Sequence, residues 1–182
     1  VLACWIGGND LKAIAGGEAG PILSTLRSVP VDSVELLCSY PVELVEPYLS
    51  WLRQQIALPI TAYYAKLSSP VHFGEIYQAA SQHLKRLSTP GNQLSILLSP
   101  GTPAMQAVWI LLGKTKYPVT FYQASPEQGV QQVDIPFEIA AEYVPKQDRQ
   151  LIQLSVGQVH ASAAFDKIVT QNALMKTLKQ QA

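Results

Sequence analysis

The sequence predicts an α/β protein: a doubly wound, mostly parallel sheet with helices on both faces, followed by a C-terminal helical tail. Three observations lead there. Short runs of apolar, β-branched or aromatic residues recur from Val1 to Gln123, separated by segments with helical spacing or turn chemistry. Most of these runs are apolar nearly throughout, the pattern of strands covered on both faces. And 182 residues, 48% of them hydrophobic, suffice for one domain with a full core.

Val1–Ile6 reads as the first strand, broken by Gly7-Gly8-Asn9-Asp10. Ala13–Gly20 is small and glycine-rich and reads as a loop, and Pro21–Ser28 as a short helix. Ser33–Cys38 is the second strand. Pro41–Ala57 carries Val45, Leu49, Leu52 and Ile56 at helical spacing, with Pro47 either kinking the helix or marking its start. Pro59–Ala65 is the third strand. Ser69-Pro70 opens a helix with Phe73, Ile76, Tyr77, Ala80, Leu84 and Leu87 on one face. Gln93–Leu98 is the fourth strand. Its helix runs from Pro103 to Leu112 and ends at Gly113 as a C-cap, and Pro118–Gln123 is the fifth strand. Right-handed crossovers allow the order 3-2-1-4-5, which makes strands 1 and 4 neighbours at the switch point. Further on, Val133–Val144 adds one or two edge strands, since Pro136 disfavours a central position. Pro145–Gln150 is a polar break before Leu151–Leu154, and Ala161–Ala182 reads as an amphipathic helical tail.

Composition excludes several classes. Net charge is zero, so the basic footprint of a protein that grips duplex DNA is missing. Cys4 and Cys38 fall in strands, as buried free thiols do, which points to a reduced, cytoplasmic setting. No Cys/His cluster has metal-site spacing. No run is long enough to span a bilayer, so no membrane partner is expected. VLACWIGG lacks a basic flank and reads as a strand, not a signal peptide. His72 and His83 lie on one helix, His83 off its apolar face, in solvated or capping roles.

The stretch with most chemical content is Leu94–Met105, LSILLSPGTPAM. A buried strand stops at Ser99-Pro100-Gly101, Thr102 stands at the N-cap position, and Pro103 at the first helical position. Such a junction aims backbone N–H groups and a positive helix end into one small space, which suits a phosphate. Gly101 either lets backbone approach that phosphate or adopts a positive φ, and Gly101→Val is expected to spare folding. The other polar, glycine-rich exit follows strand 1. The expected ligand-binding residues are therefore Gly7, Gly8, Asn9, Asp10, Ser99, Pro100, Gly101, Thr102 and Met105. Asp10 could contact ligand or cap a turn. Tyr40, Tyr63 and Tyr64 could stack on a base, and Lys12 and Lys66 could reach a phosphate.

Familiar motifs fail. Gly113-Lys114-Thr115 imitates the end of a P-loop, but Val108 stands where its first glycine belongs. Gly7-Gly8-Asn9 is not a dinucleotide fingerprint, and Ser99 lacks the G-x-S-x-G frame of a hydrolase. No cofactor and no catalytic residue is expected.

Two stretches carry resemblances. The strand-1 exit paired with SPGTPAM resembles the CRISPR-associated Rossmann-fold (CARF) sensor domains, which carry a similar glycine-threonine turn followed by a methionine. The tail Phe165–Ala182, FDKIVTQNALMKTLKQQA, resembles the lead-in to the AAA+ ATPase module of sigma-54-dependent transcription activators. Activators similar to the regulator of the RNA 3′-terminal cyclase operon join such pieces. The resemblance implies a Rossmann-like sensor domain over residues 1–157 and a helical linker over 158–182 leading into an ATPase module. It implies a homodimer that binds an RNA end or a cyclic oligonucleotide and is itself not an enzyme. The alternatives are a nucleotide-cleaving enzyme of the ring-nuclease type and a dimerisation module without ligand.

Overall fold

The computed structural model describes residues 1–16 and 19–136. The elements are β1 (Leu2–Trp5), α1 (Gly8–Gly16), α2 (Pro21–Ser28), β2 (Val34–Cys38), α3 (Val42–Gln55), β3 (Ile60–Tyr64), α4 (Phe73–Leu87), β4 (Leu94–Leu97), α5 (Pro103–Thr115), β5 (Val119–Ser125) and β6 (Gly129–Val133). One six-stranded sheet has the order β3-β2-β1-β4-β5-β6. The first five strands are parallel in the expected order, and β6 pairs with β5 antiparallel as a hairpin edge.

The pleat of β1 distributes the core. Ala3 and Trp5 join the apolar faces of α4 and α5, including Ile76, Leu84, Met105, Trp109 and Leu112. Leu2, Cys4 and Ile6 join Ile22 and Leu23 of α2 and Val45, Tyr48, Leu49 and Leu52 of α3. Helices thus cover both faces, which explains why the central strands read as continuous apolar runs. Both cysteines are free and buried.

Five expectations need correction. Gly8–Gly16 is helical, although its glycines predict a break and a loop. The amides of Asp10 and Leu11 donate to the Gly7 carbonyl, and Ala13 is buried, so tertiary packing overrides propensity. The helix expected from Ser69-Pro70 begins at Phe73, because the His72 ring accepts the Glu75 amide as N-cap. Phe73, placed by spacing on the apolar face, is exposed. His83 is buried, not solvated: its Nε2 lies 3.3 Å from the Glu35 carbonyl and its Nδ1 3.2 Å from the Arg86 guanidinium. Finally, Gly113 does not end α5, which continues to Thr115 with Lys116 as C-cap. A Cβ at Gly113 would strike Phe121 and Val119 of β5, so glycine is there for close helix–sheet approach.

The edge strand starts earlier than expected, at Gly129. What was expected of residues 137–182, including the rest of Val133–Val144, the strand at Leu151–Leu154, the boundary at 157 and the helix 161–182, lies outside the described residues. No helix among the described residues is long and apolar enough to cross a membrane.

Candidate functional site

Because β1 and β4 are neighbours whose connections leave to opposite faces, their exits open side by side at one edge of the sheet. The contact is close. A Cβ built on Gly7 would lie 3.0 Å from the Gly101 nitrogen and 3.3 Å from the Pro100 Cα. Gly101 has φ +97°, the left-handed region that glycine adopts without strain. A Cβ there would also meet the Met105 sulfur at 2.8 Å, so Gly101→Val disturbs folding, contrary to the expectation from sequence. The turn needs glycine both for its φ and for the sulfur packed against it.

Thr102 caps α5 as its position predicts. Its Oγ1 accepts the Met105 amide at 3.3 Å, and the Thr102 amide donates back to the Met105 sulfur at 3.4 Å. The hydroxyl proton goes to the Pro70 carbonyl at 2.7 Å, tying the turn to the loop before α4.

Asp10 is fully buried. Its Oδ2 accepts the Gly7 amide at 3.1 Å and its Oδ1 the Ile22 amide at 2.9 Å. Burial pushes its carboxyl up to about 6 against these hydrogen bonds, which pull it down. Asp10 therefore shapes the β1 exit and the start of α2 from behind, and the structure does not bring it to the ligand-facing surface as the sequence reading expected. The Cys4 thiol and the Tyr48 phenol, both buried, are each raised by desolvation first and by the Asp10 charge second.

The remaining site residues divide between two concavities. The smaller, about 220 Å³, is lined by Gly8, Gly101, Thr102 and Met105 together with Ile6, Ser39, Tyr40, Leu67 and Pro70. It opens at the carboxyl ends of β1 to β4. The larger, about 590 Å³, includes Asn9 and Ser99 with residues of α1, α2 and the β5–β6 hairpin. Ser99 also pins β4 to β5, donating to the Ala124 carbonyl at 2.8 Å and accepting the Ala124 amide at 2.6 Å.

Of the other candidates, Tyr40 is 37% exposed and lines the smaller concavity, and Lys12 lines the larger. Lys66 lines neither. Tyr63 lies under the Arg86 guanidinium, 3.7 Å from the ring centroid, and Tyr64 donates to Glu46 at 3.0 Å, so both serve the β2–β3 edge. Sequence reading missed Ser39, Leu67 and Pro70, which enter only because the β2 and β3 exits reach the same edge as β1. The signal within reach was the Ser39-Tyr40-Pro41 break after strand 2. Among the described residues no group of His, Cys, Asp and Glu could hold a metal ion.

This geometry and topology define a Rossmann-like α/β fold. Solved structures that share it include Csm6 from Enterococcus italicus bound to cyclic hexa-2′-fluoro-hexa-dAMP, at 16% identity and a TM-score of 0.56. That match covers 87% of this chain and 39% of the other. Protein VC1899 from Vibrio cholerae matches at 8% identity and a TM-score of 0.57, over 72% of this chain and 32% of that one. Can2 from Sulfobacillus thermosulfidooxidans in complex with cyclic tetra-adenylate matches at 12% identity and a TM-score of 0.50, over 98% of this chain and 56% of the other. No family model matches the sequence, and no curated protein does. The chain thus spans about a third to just over half of the solved chains it resembles.

One expectation falls here. The sequence reading took the chain to be no enzyme: no clear acid–base pair is evident, which disfavours the ring-nuclease alternative without excluding it. The same fold forms part of Csm6 and Can2, both longer chains, so the expectation of no enzyme is withdrawn. A missing acid–base pair in one segment carries no weight where the fold is built into larger proteins.

Proposed function

We propose that this chain is a ligand-sensing domain whose ligand, a cyclic oligonucleotide or an RNA end, binds at the carboxyl ends of β1 and β4. The observation that carries this reading is the packing of the Gly7 turn on the Gly101 turn, beside a threonine-capped helix start that opens into the smaller concavity. Gly8, Gly101, Thr102 and Met105 line it, Tyr40 offers a ring for a base, the buried Gly7 and Pro100 hold the two turns together behind it, and Asn9 and Ser99 line the larger concavity. Asp10 acts as a positioning residue. The fold shared with Csm6 and Can2, whose structures hold cyclic adenylate ligands, supports the cyclic oligonucleotide over the RNA end.

The tail resemblance supports a finer reading. Residues 1–157 are the sensor of a cytoplasmic sigma-54-dependent regulator, residues 158–182 its helical linker to an AAA+ module, and the sensor works as a homodimer.

Calorimetric titration of the full chain with cyclic tetra-adenylate tests the site. Tyr40→Ala, at an exposed side chain, is expected to weaken binding at least tenfold without changing the melting midpoint. Mass spectrometry of the recovered ligand reports whether it returns intact or shortened. Absence of binding at micromolar protein, or full-strength binding by Tyr40→Ala, counts against the assignment.

A further inference from the structure

We infer that the loop between β3 and α4 is a strap that reports occupancy of the smaller concavity: a ligand that takes the Thr102 hydroxyl proton releases the Pro70 carbonyl and lets the loop move with the first turn of α4. This rests on the site assigned above. Thr102 and Pro70 both line that concavity, together with Leu67 of the same loop. Their contact, from Thr102 Oγ1 to the Pro70 carbonyl at 2.7 Å, joins two parts of the wall that a ligand meets.

Hydrogen-bond accounting makes the two contacts exclusive. A hydroxyl has one proton and two lone pairs. The Thr102 proton lies on Pro70, and one lone pair holds the Met105 amide. A phosphate or carbonyl oxygen of a ligand only accepts, so it reaches this hydroxyl by taking the proton from Pro70. Proline has no N–H, so the carbonyl is the one backbone group by which Pro70 is tethered. Among the described residues, the other hydrogen bonds of residues 66–71 stay within the loop and its junction with α4 or run to Glu75: the Val71 and His72 amides donate to Ser69, and Ser68 donates to Glu75. A ligand shifts a conformational equilibrium only through a contact that differs between the two states, and the Thr102 proton is such a contact.

What moves follows from Glu75. Its carboxylate accepts both the amide and the hydroxyl of Ser68, the hydroxyl at 2.8 Å, and its own amide donates to the His72 ring at the N-cap, at 3.2 Å. Glu75 therefore fastens residues 68–72 to the first turn of α4 as one unit, whereas the Thr102 hydroxyl is what fastens Pro70 to the β4 exit. The unit carries Val71 and Phe73, large apolar side chains left 58% and 57% exposed. Occupancy of the concavity thereby alters an apolar surface outside it.

The test is carbonyl-carbon and amide NMR on the full isotope-labelled chain, with cyclic tetra-adenylate as the ligand and calorimetry reporting whether it binds. Thr102→Asp separates the cap from the tether. At neutral pH a carboxylate caps a helix start by accepting the Met105 amide but has no proton to give Pro70. In the ligand-free variant the Pro70 carbonyl carbon should move upfield and the Ser68, Val71 and Gly74 amides should shift, with the melting midpoint held near that of wild type. Saturating cyclic tetra-adenylate should move the same resonances of the wild-type chain in the same direction. Ser68→Ala should confine the response to Pro70 and Val71 and leave Gly74 still. Wild-type loop resonances in Thr102→Asp overturn the inference, as does a Gly74 shift undiminished in Ser68→Ala. Calorimetric binding that leaves the Pro70 carbonyl unmoved overturns the strap while the site assignment stands. Absence of calorimetric binding removes the site assignment and the strap with it.

Discussion

The hydroxyl of Thr102 donates to the Pro70 carbonyl at 2.7 Å while accepting the Met105 amide at 3.3 Å. One side chain thus caps α5 and holds the loop ahead of α4 against the β4 exit. Thr102→Ala is expected to cost about 1 kcal/mol, since it removes a cap, while the exposed Pro70 carbonyl turns to water. Thr102→Ser should recover most of that. Urea denaturation measures both, and equal midpoints for wild type and Thr102→Ala would show that the cap contributes nothing.

Two buried groups titrate against each other. Asp10 has its carboxyl raised from 3.8 to about 6, chiefly by burial, so its contribution is fully present below about 3.8 and lost as pH rises through 6. His83 has its imidazole lowered from 6.5 to about 4, first by burial and then by the Arg86 charge, against the Glu35 carbonyl bond that raises it. Its contribution is present above 6.5 and lost as pH falls through 4. Each amounts to about 3 kcal/mol, with opposite sign over the same window. The wild-type contribution of the pair should be nearly flat between pH 4 and 6.5. Asp10→Asn should unmask stability that rises with pH, and His83→Gln stability that falls. Denaturation midpoints across that range check it, and parallel profiles for the two variants would contradict it.

Gly113→Ala sets propensity against packing. In an open helix the change gains up to about 1 kcal/mol. Here the new methyl would lie inside contact distance of Phe121 and 2.5 Å from the Val119 Cγ2, and overpacking of this kind costs about 1–3 kcal/mol. A net loss of about 1–2 kcal/mol is expected in chemical denaturation. A more stable variant would mean that β5 yields more easily than its position implies.

Gly101→Ala should destabilise more than Gly91→Ala. Both glycines have positive φ, +97° and +90°, but a Cβ on Gly91 meets nothing within 4 Å, whereas one on Gly101 meets the Met105 sulfur. Strain alone is worth about 1–3 kcal/mol at either position, and Gly101 adds displacement of a buried side chain. Matched thermal melts compare them, and equal losses would remove the role assigned to the Met105 contact.

The layers, the pairing of strands 1 and 4 within one admissible order, and the β4 exit were legible in the sequence. Continuous apolar strands admit only a sheet covered on both faces, and right-handed crossovers then leave few orders for five strands. The Ser99–Met105 turn was legible because its signals are local: a threonine cap, a proline in the first helical turn, a glycine at positive φ. Tertiary structure alone decided what depends on distant partners. Asp10 reads as a ligand contact or a turn cap, and the fold takes the cap: its carboxylate turns inward to the Gly7 amide and to the Ile22 amide twelve residues away. Gly8–Gly16 reads as a loop, yet packing makes it a helix. His83 reads as solvated, yet it is closed in between β2 and Arg86. The division of the site into two concavities follows from which faces α1 and the β5–β6 hairpin occupy. Local spacing specifies backbone conformation, whereas burial and hydrogen-bond partners are properties of the closed fold.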